Sequence, residues 1–181
     1  MELFRAKGFA AVSLDDLSEA TGLSRPSLYR SFGDKLSMYV GAMNAFGAQV
    51  VTSAVPALIE EDDLETALTA FYGEMLNIYY SDNGIEPGCL VYGTAPSSAD
   101  IPVIKQHLEA SIERLDGAMR MRIKRSSPQN TDNQIEAAVS IASNTLIAFS
   151  ARAKSGATKE ELSAMGAQSA RAICGILNFQ Q

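Results

Sequence analysis

Residues 14–32 have the sequence LDDLSEATGLSRPSLYRSF, which predicts two short helices joined by a tight turn. Gly22 stands at the turn, where glycine adopts the positive φ that ends a helix without a steric penalty. Ser13 and Ser24 precede the two helices and are typical N-terminal caps. The spacing indicates a helix-turn-helix with one small apolar core. The predicted core residues are Leu17, Leu23, Leu28 and Phe32, with Phe4, Phe9 and Val12 from a preceding helix.

The remainder of the chain also has helical periodicity, and no segment alternates apolar and polar residues long enough to predict a sheet. Capping boxes at Thr131 and Thr158 predict the starts of the last two helices. We therefore predict an all-α fold, with a three-helix head over residues 1–46 and a larger helical body over residues 47–181. Longer helices are expected over residues 34–55, 63–80 and 102–125.

The composition excludes several classes of protein. The chain has 181 residues, 46% of them hydrophobic, and its net charge of −6 excludes a uniformly basic coat for nucleic acid. One histidine, His107, and two cysteines distant in sequence, Cys89 and Cys174, make neither a multi-histidine metal site nor a disulfide scaffold. We expect no cofactor, metal or catalytic residue. No apolar run approaches the ~20 residues of a membrane span and no secretory signal is evident, so we expect a cytoplasmic protein without membrane contact.

The second helix of the pair directs its polar side chains outward. Guanidinium groups can bind guanine edges in a major groove, and hydroxyl groups can bind phosphates or bases. Five basic and five acidic residues up to Phe46 leave the head neutral, so we expect weak, salt-sensitive DNA binding through a local patch. The candidate DNA-binding residues are Arg25, Ser27, Tyr29, Arg30 and Ser31, with Lys35 at the start of the next helix.

The order of residues in the head resembles the DNA-binding head of the tetracycline-repressor (TetR) family. The resemblance implies an all-helical homodimer that puts the third helix of each head into the major groove of a palindromic operator. It also implies a variable body that binds a small molecule, which releases the operator. The matching residues are Phe4, Gly8, Phe9, Ser13, Asp16, Leu17, Thr21, Gly22, Leu23, Ser24, Leu28, Tyr29, Phe32, Gly33, Asp34 and Lys35.

Two features depart from the family pattern. Family members usually have a longer first helix preceded by a basic arm, whereas this sequence begins inside that helix. Either the true start lies upstream or the phosphate contacts are weaker. Ser18 stands at a helix–helix contact where the family usually has alanine.

The last two helices carry apolar stripes that predict either an intramolecular core or the face between two copies of the chain. Small residues beside the stripes favour burial on two sides, as an intermolecular four-helix bundle requires. The family pairs its subunits in this way. The first stripe comprises Ile135, Val139, Ala142, Leu146 and Phe149, and the second comprises Leu162, Met165, Ser169, Ile173 and Ile176.

Tyrosine and methionine side chains in the middle of the chain predict a small-molecule pocket. Such residues at helical spacing more often belong to a plain core, but several tyrosine hydroxyls suit an amphipathic pocket. Asn144 is either a polar anchor for the ligand or a satisfied core amide. The candidate ligand-binding residues are Tyr72, Met75, Tyr79, Cys89, Tyr92, Met119 and Asn144.

Cys89 follows Pro87 and Gly88, which indicate the start of a helix. This Gly-Cys-Leu segment resembles one branch of the TetR family, some of whose members sense electrophiles through cysteine. A helix start favours the thiolate, so a sensor cysteine should have a pKa below the ~8.5 of free cysteine. The alternative is a small buried apolar residue.

Two other functions stay open at this stage. The chain could be a helical ligand-binding or adaptor dimer that has lost DNA binding. It could also be a cysteine hydrolase, if His107 were oriented beside Cys89 as a base. Otherwise the sequence predicts a ligand-responsive regulator whose partners are operator DNA, a second copy of itself and a small-molecule effector.

Overall fold

The computed structural model describes residues 1–80 and 88–178, and all regular structure in these two ranges is helical. The all-α prediction is therefore confirmed. Pro87, the predicted helix-start signal, lies outside the described residues. The helices are α1 (Glu2–Ala11), α2 (Leu14–Thr21), α3 (Arg25–Phe32), α4 (Lys35–Ser53), α5 (Val55–Glu60), α6 (Leu64–Tyr79), α7 (Leu90–Thr94), α8 (Pro102–Ser126), α9 (Asp132–Lys154) and α10 (Lys159–Asn178), with a short 3₁₀ helix at Ala95–Ser98.

Local capping forms the helix-turn-helix as the sequence predicts. Ser13 caps α2 by accepting the backbone N–H of Asp16 at 3.0 Å, and the Asp16 carboxylate accepts the backbone N–H of Ser13 at 2.8 Å. Gly22 ends α2 with φ 69°, a left-handed conformation that non-glycine residues adopt at a cost. Ser24 caps α3, whose second residue is Pro26.

The core of the head differs from the sequence prediction at two residues. Leu17 and Leu28 are buried as expected, but Leu23 is 38% exposed and Phe32 is 55% exposed. The centre of the head is filled instead by Tyr39 of α4, whose ring meets that of Phe4 edge to face with centroids 5.2 Å apart. Phe32 is the last residue of α3, beyond the reach of this contact. The prediction that Leu23 and Phe32 belong to the core was wrong.

The body packs α6 against α9 and α10. Tyr72 of α6 lies against Phe149 of α9 with ring centroids 5.6 Å apart, and its hydroxyl donates to the carbonyl of Ala142 at 3.1 Å. Gly166 of α10 makes this approach possible, because a Cβ there would stand 3.1 Å from Phe149 and 3.2 Å from Tyr72. The three helices therefore meet too closely for any larger residue at that position without rearrangement.

The apolar stripes on α9 and α10 belong mainly to the intramolecular core. All five residues of the first stripe are buried within the single chain, as are Leu162 and Ile173 of the second. The other faces expose charged and amide side chains such as Glu136 and Arg171, together with several small residues. These small residues are Ala137, Ser140 and Ala151 on α9, and Ala164, Ala172 and Gly175 on α10. A face between two copies would therefore be rotated away from the buried stripe residues.

The stretch Lys35–Glu60 is apolar and long enough, by length and composition alone, to cross a membrane. The prediction concerned unbroken apolar runs and still holds for them, because polar residues interrupt this stretch. An average over 18 residues tolerates isolated polar residues such as Asn44 and Gln49. In this fold α4 buries Tyr39, Met43 and Phe46 against the rest of the chain.

Candidate functional site

The outward face of α3 carries the predicted DNA-binding side chains. Tyr29, Arg30 and Ser31 are exposed, and their side chains form no hydrogen bond or ion pair with residues 1–80 or 88–178. Tyr29 exposes 48% of its surface although it is aromatic. These three side chains are therefore accessible to a molecule outside the chain.

The other three predicted DNA contacts have partners within the head. Arg25 of α3 donates through Nε to the Asp15 carboxylate of α2 at 2.8 Å, and this carboxylate raises the pKa of Arg25. Ser27 exchanges a hydrogen bond with Ser24 at 3.0 Å. The Arg25–Asp15 contact holds the first turn of α3 against α2, and the Ser24–Ser27 bond lies within the cap of α3.

Lys35 is also engaged, at the start of α4. Its Nζ donates to the carbonyl of Val12 at 3.0 Å and lies 4.5 Å from the centroid of the Phe9 ring. The ammonium group therefore ties α4 to the end of α1. A phosphate contact would have to share or replace these two interactions.

A cavity of about 340 Å³ lies inside the body, between α4 and the helices α5 to α9. Its walls are almost entirely apolar, and Tyr92, Ser111 and Arg114 supply polar groups on one side. The apolar lining includes Phe46, Val50, Leu58, Phe71, Leu115 and Leu146. A cavity of this size falls within the range of small-molecule sites.

Arg122 holds α5, which forms one wall of the cavity. Its buried guanidinium donates from Nε to the carbonyl of Leu58 at 2.7 Å and from Nη2 to the carbonyl of Glu61 at 2.8 Å. Burial lowers the pKa of Arg122, and the like charge of Arg125 lowers it further. The side chain thus binds carbonyl groups at the end of a helix, which otherwise lack partners.

The structure brings together three of the seven predicted ligand-binding residues. Met75, Cys89 and Tyr92 line the cavity. Tyr72, Tyr79 and Met119 are buried in the packed core outside its lining. Asn144 lies on the exposed face of α9, where its Nδ2 donates to Ser140 Oγ at 3.2 Å, so its placement in the pocket was wrong. Sequence periodicity places a side chain on a helix face without distinguishing a packed core from a cavity wall.

Cys89 is the N-cap of α7, as Gly88 indicated, but it does not favour a thiolate. It is 1% exposed, and its Sγ accepts the backbone N–H of Tyr92 at 3.4 Å. Burial raises the pKa of the Cys89 thiol, and hydrogen bonds from the Tyr92 backbone and the Tyr79 phenol offset only part of that effect. The lowered pKa expected of a sensor cysteine is absent, because α7 has only five residues and the surroundings are apolar. Cys89 fits the alternative of a small buried apolar residue instead. His107 forms no hydrogen bond with Cys89, so no such bond orients the imidazole beside that thiol.

A larger, more open depression of about 1230 Å³ lies between the start of α9 and the end of α10. Its lining includes Asn130, Thr131, Gln134 and Asn178, and none of the predicted ligand residues borders it. It is a surface concavity between helix ends. The apolar cavity beside α4 is the better candidate for a ligand because more elements enclose it.

Two buried contacts connect the head to the elements around the cavity. Tyr39 of α4 and Thr94 of α7 have their hydroxyl oxygens 2.6 Å apart. Arg5 of α1 donates from Nη1 to the carbonyl of Ile78, near the end of α6, at 2.9 Å. Because Val91 and Tyr92 of α7 line the cavity, this short helix touches both the head and the candidate ligand site.

Comparison with known proteins identifies the head. Residues 1–41 match the family model "Bacterial regulatory proteins, tetR family". The repressor BdcR of Escherichia coli K12, an HTH-type transcriptional repressor, is 31% identical over 182 residues, covering 97% of this chain and 85% of its own. This chain belongs to the TetR family. The family resemblance seen in the sequence is therefore confirmed, and its known relatives are transcriptional regulators.

TetR-family structures share the whole fold. A cysteine mutant of the TetR-family regulator CifR, complexed with 26-bp operator DNA, superposes with a TM-score of 0.80 at 25% identity and covers 94% of this chain and 91% of its own. The TetR-family regulator SCO4454 of Streptomyces coelicolor has a TM-score of 0.75 at 14% identity, covering 98% of this chain and 91% of its own. The second likeness shows the fold alone.

Proposed function

We propose that this TetR-family regulator is a dimeric repressor that binds a palindromic operator through α3 and releases it when a small molecule fills the cavity. The exposed, unpartnered side chains of Tyr29, Arg30 and Ser31 carry the DNA-binding part of the proposal. The operator complex of CifR, a structure with the same fold, supports it. Residues 1–46 would form the DNA-binding unit, and residues 47–181 the ligand-binding and dimerisation unit.

Arg30 is the residue best placed to read bases. It has no carboxylate to release, whereas Arg25 must leave Asp15 before it can donate elsewhere. A guanidinium binds the O6 and N7 atoms of guanine with two hydrogen bonds. Arg25, Ser27 and Lys35 would then serve mainly as phosphate contacts that position the helix.

The second copy would pack against the exposed faces of α9 and α10. The small residues there, among them Ala137, Ala151, Ala164 and Ala172, permit close approach of helices from two copies. A two-fold pair presents its two α3 helices at a fixed separation, which a palindromic site matches. The rotated face described above, rather than the buried stripes, would form this seam.

Release would require the ligand to prefer the arrangement that cannot bind DNA, since a ligand with equal affinity for both shifts nothing. α4 runs without interruption from the head to the cavity, and Phe46 lines that cavity. α7 contacts the head through Thr94 and the cavity through Val91. A ligand that moves either helix therefore changes the position of α3.

The proposed effector binds without covalent reaction. Burial keeps the Cys89 thiol protonated, which disfavours attack on an electrophile. The cavity itself offers room for a molecule beside that thiol.

A gel-shift titration with DNA from beside the gene tests the proposal. The wild-type chain should form a salt-sensitive complex, and Arg30→Ala should lose about 1–3 kcal/mol of specific binding free energy. Lys105→Ala, which removes an exposed charge from α8, is the matched control and should bind as wild type. Equal affinity of wild type and Arg30→Ala would remove Arg30 from base recognition. Failure of the wild type to bind would favour the ligand-binding or adaptor dimer.

A further inference from the structure

The cavity in the body separates its apolar and polar walls. Phe46, Phe71, Met75 and Leu146 belong to the apolar wall, and Cys89 adds a protonated thiol. The polar groups are confined to the side formed by α7 and α8. A ligand that fills the cavity must therefore be apolar over most of its length and polar at one end.

The polar side carries one positive charge. Arg114 donates from Nη2 to Ser111 Oγ at 2.9 Å, and the Tyr92 hydroxyl donates to the backbone carbonyl of Ser111 at 3.3 Å. Arg114 forms no ion pair within residues 1–80 and 88–178, in contrast to Arg120 one turn and a half further along α8, which pairs with Glu136. Its guanidinium retains unused donors at the edge of an apolar space.

Acidic groups also lie near this side. Burial raises the pKa of the Tyr92 phenol, and the charge of Asp116 raises it further, whereas Arg114 lowers it. Asp116 does not line the cavity. Arg114 is thus the charged side chain that borders the cavity itself. Its positive charge should make the cavity prefer a ligand with a negatively charged end.

The volume limits the size of the ligand. About 340 Å³, at the ~30 Å³ that one water molecule occupies in the liquid, accommodates roughly ten to twelve non-hydrogen atoms. This is the size of a medium-chain acid with a single carboxylate.

We propose that the cavity binds a medium-chain carboxylate, with the hydrocarbon between Phe46 and Leu146 and the carboxylate at Arg114. The carboxylate accepts hydrogen bonds from the guanidinium, and Ser111 Oγ orients that group. The inference specifies the effector class for the regulator proposed above, and rests on that proposal only for the consequence of binding. Binding itself requires no DNA.

Calorimetric titration of the full chain with three probes of equal chain length tests the inference. The probes are octanoate, octanol and octylammonium, which share an eight-carbon chain and differ chiefly in the charge of the head group. We expect octanoate to bind about fivefold to tenfold more tightly than octanol, since Arg114 is partly screened by solvent, and the cation to bind most weakly. Equal or tighter binding of octanol would overturn the proposal.

Variants of Arg114 distinguish recognition of the carboxylate charge from nonspecific hydrophobic binding of the octyl chain. Arg114→Gln should remove the preference for octanoate over octanol, and Arg114→Lys should restore part of it. Lys105→Gln removes the same charge from the same helix away from the cavity and should leave the preference intact. An unchanged preference in Arg114→Gln would contradict the assignment.

A filled cavity gives an independent measurement. Ala118 lines the space, and Ala118→Phe should reduce octanoate binding by at least about tenfold while the folded chain is retained, as judged by circular dichroism. Undiminished binding would place octanoate elsewhere and overturn the proposal. If Ala118→Phe does not fold, the smaller Ala118→Val replaces it, and octanoate should bind this variant more weakly than wild type. Gel shifts in the absence of octanoate distinguish the two proposals. If the chain binds operator DNA but shows no preference for octanoate, only the effector class is refuted. If it binds octanoate but no operator DNA, only the repressor is refuted.

Discussion

The phenol oxygen of Tyr39 lies 2.6 Å from the hydroxyl oxygen of Thr94, in a buried contact between α4 and α7. The Thr94 hydroxyl also donates to the carbonyl of Leu90, one turn earlier in α7. Burial raises the pKa of Tyr39, so the phenol stays neutral at physiological pH. This bond connects the head to the helix that lines the cavity, and in the proposed regulator it would be a route by which ligand and DNA affect one another.

Removal of the Tyr39 hydroxyl should weaken that connection. Tyr39→Phe leaves the ring against Phe4 but removes the bond to Thr94, and we expect a loss of about 0.5–1.5 kcal/mol in the free energy of unfolding. Urea denaturation with an unchanged m-value measures this loss. Tyr29→Phe, at an exposed residue, is the control and should be neutral. Unchanged stability in Tyr39→Phe would show that the contact contributes nothing net.

The exposed face of α10 should form the seam between two copies. Ala172→Glu places a charge on this face, and we expect the dimer to dissociate at concentrations where wild type is dimeric. Sedimentation equilibrium measures the change in mass. Ala48→Glu, at an exposed alanine of α4, should leave the mass unchanged. Dimers that persist in Ala172→Glu would place the seam on another face.

Cys89 should react slowly with alkylating reagents near neutral pH. Its burial both blocks access and raises the thiol pKa above the ~8.5 of free cysteine, so the reactive thiolate is scarce until the pH is well above that value. Mass spectrometry of the native chain between pH 7 and 10, compared with chain unfolded in urea, gives the ratio of rates. Cys174 is the internal comparison. Fast native alkylation of Cys89 with an apparent pKa below ~8.5 would reinstate a sensor thiol.

The raised pKa values also predict a loss of stability in alkali. The buried Cys89 and Tyr79 stay neutral in the folded chain, whereas in the unfolded chain they ionise from about pH 8.5 and about pH 10. The unfolded state then binds fewer protons than the folded state, so the free energy of unfolding falls as the pH rises through this window. Urea midpoints at pH 7, 9 and 10 measure the trend, and a midpoint that rises with pH would contradict it.

The helix-turn-helix could be predicted from sequence because its determinants are local. Ser13, Gly22 and Ser24 act on residues within one turn, so their roles follow from spacing. Leu23 and Phe32 could not be placed in this way, because Tyr39 of another helix fills the centre of the head. Whether a side chain is buried depends on which distant element packs against it, and the periodicity of one helix does not contain that information.

The cavity was only partly predictable for a related reason. Met75 and Tyr92 border it while Tyr72 and Tyr79 belong to packed core, although all four are apolar or aromatic at helical spacing. Arg114 has the sequence signature of an ordinary surface charge. Only its position beside an apolar space distinguishes it.

Hydroxyl-radical footprinting on DNA from beside the gene tests the central claim most directly. Two copies that present α3 to one face of the duplex should protect two segments about one helical turn, or a multiple of it, apart. The protection should fall with rising salt and weaken in Arg30→Ala at equal protein concentration. A folded, dimeric chain that protects no segment even at low salt would contradict the account.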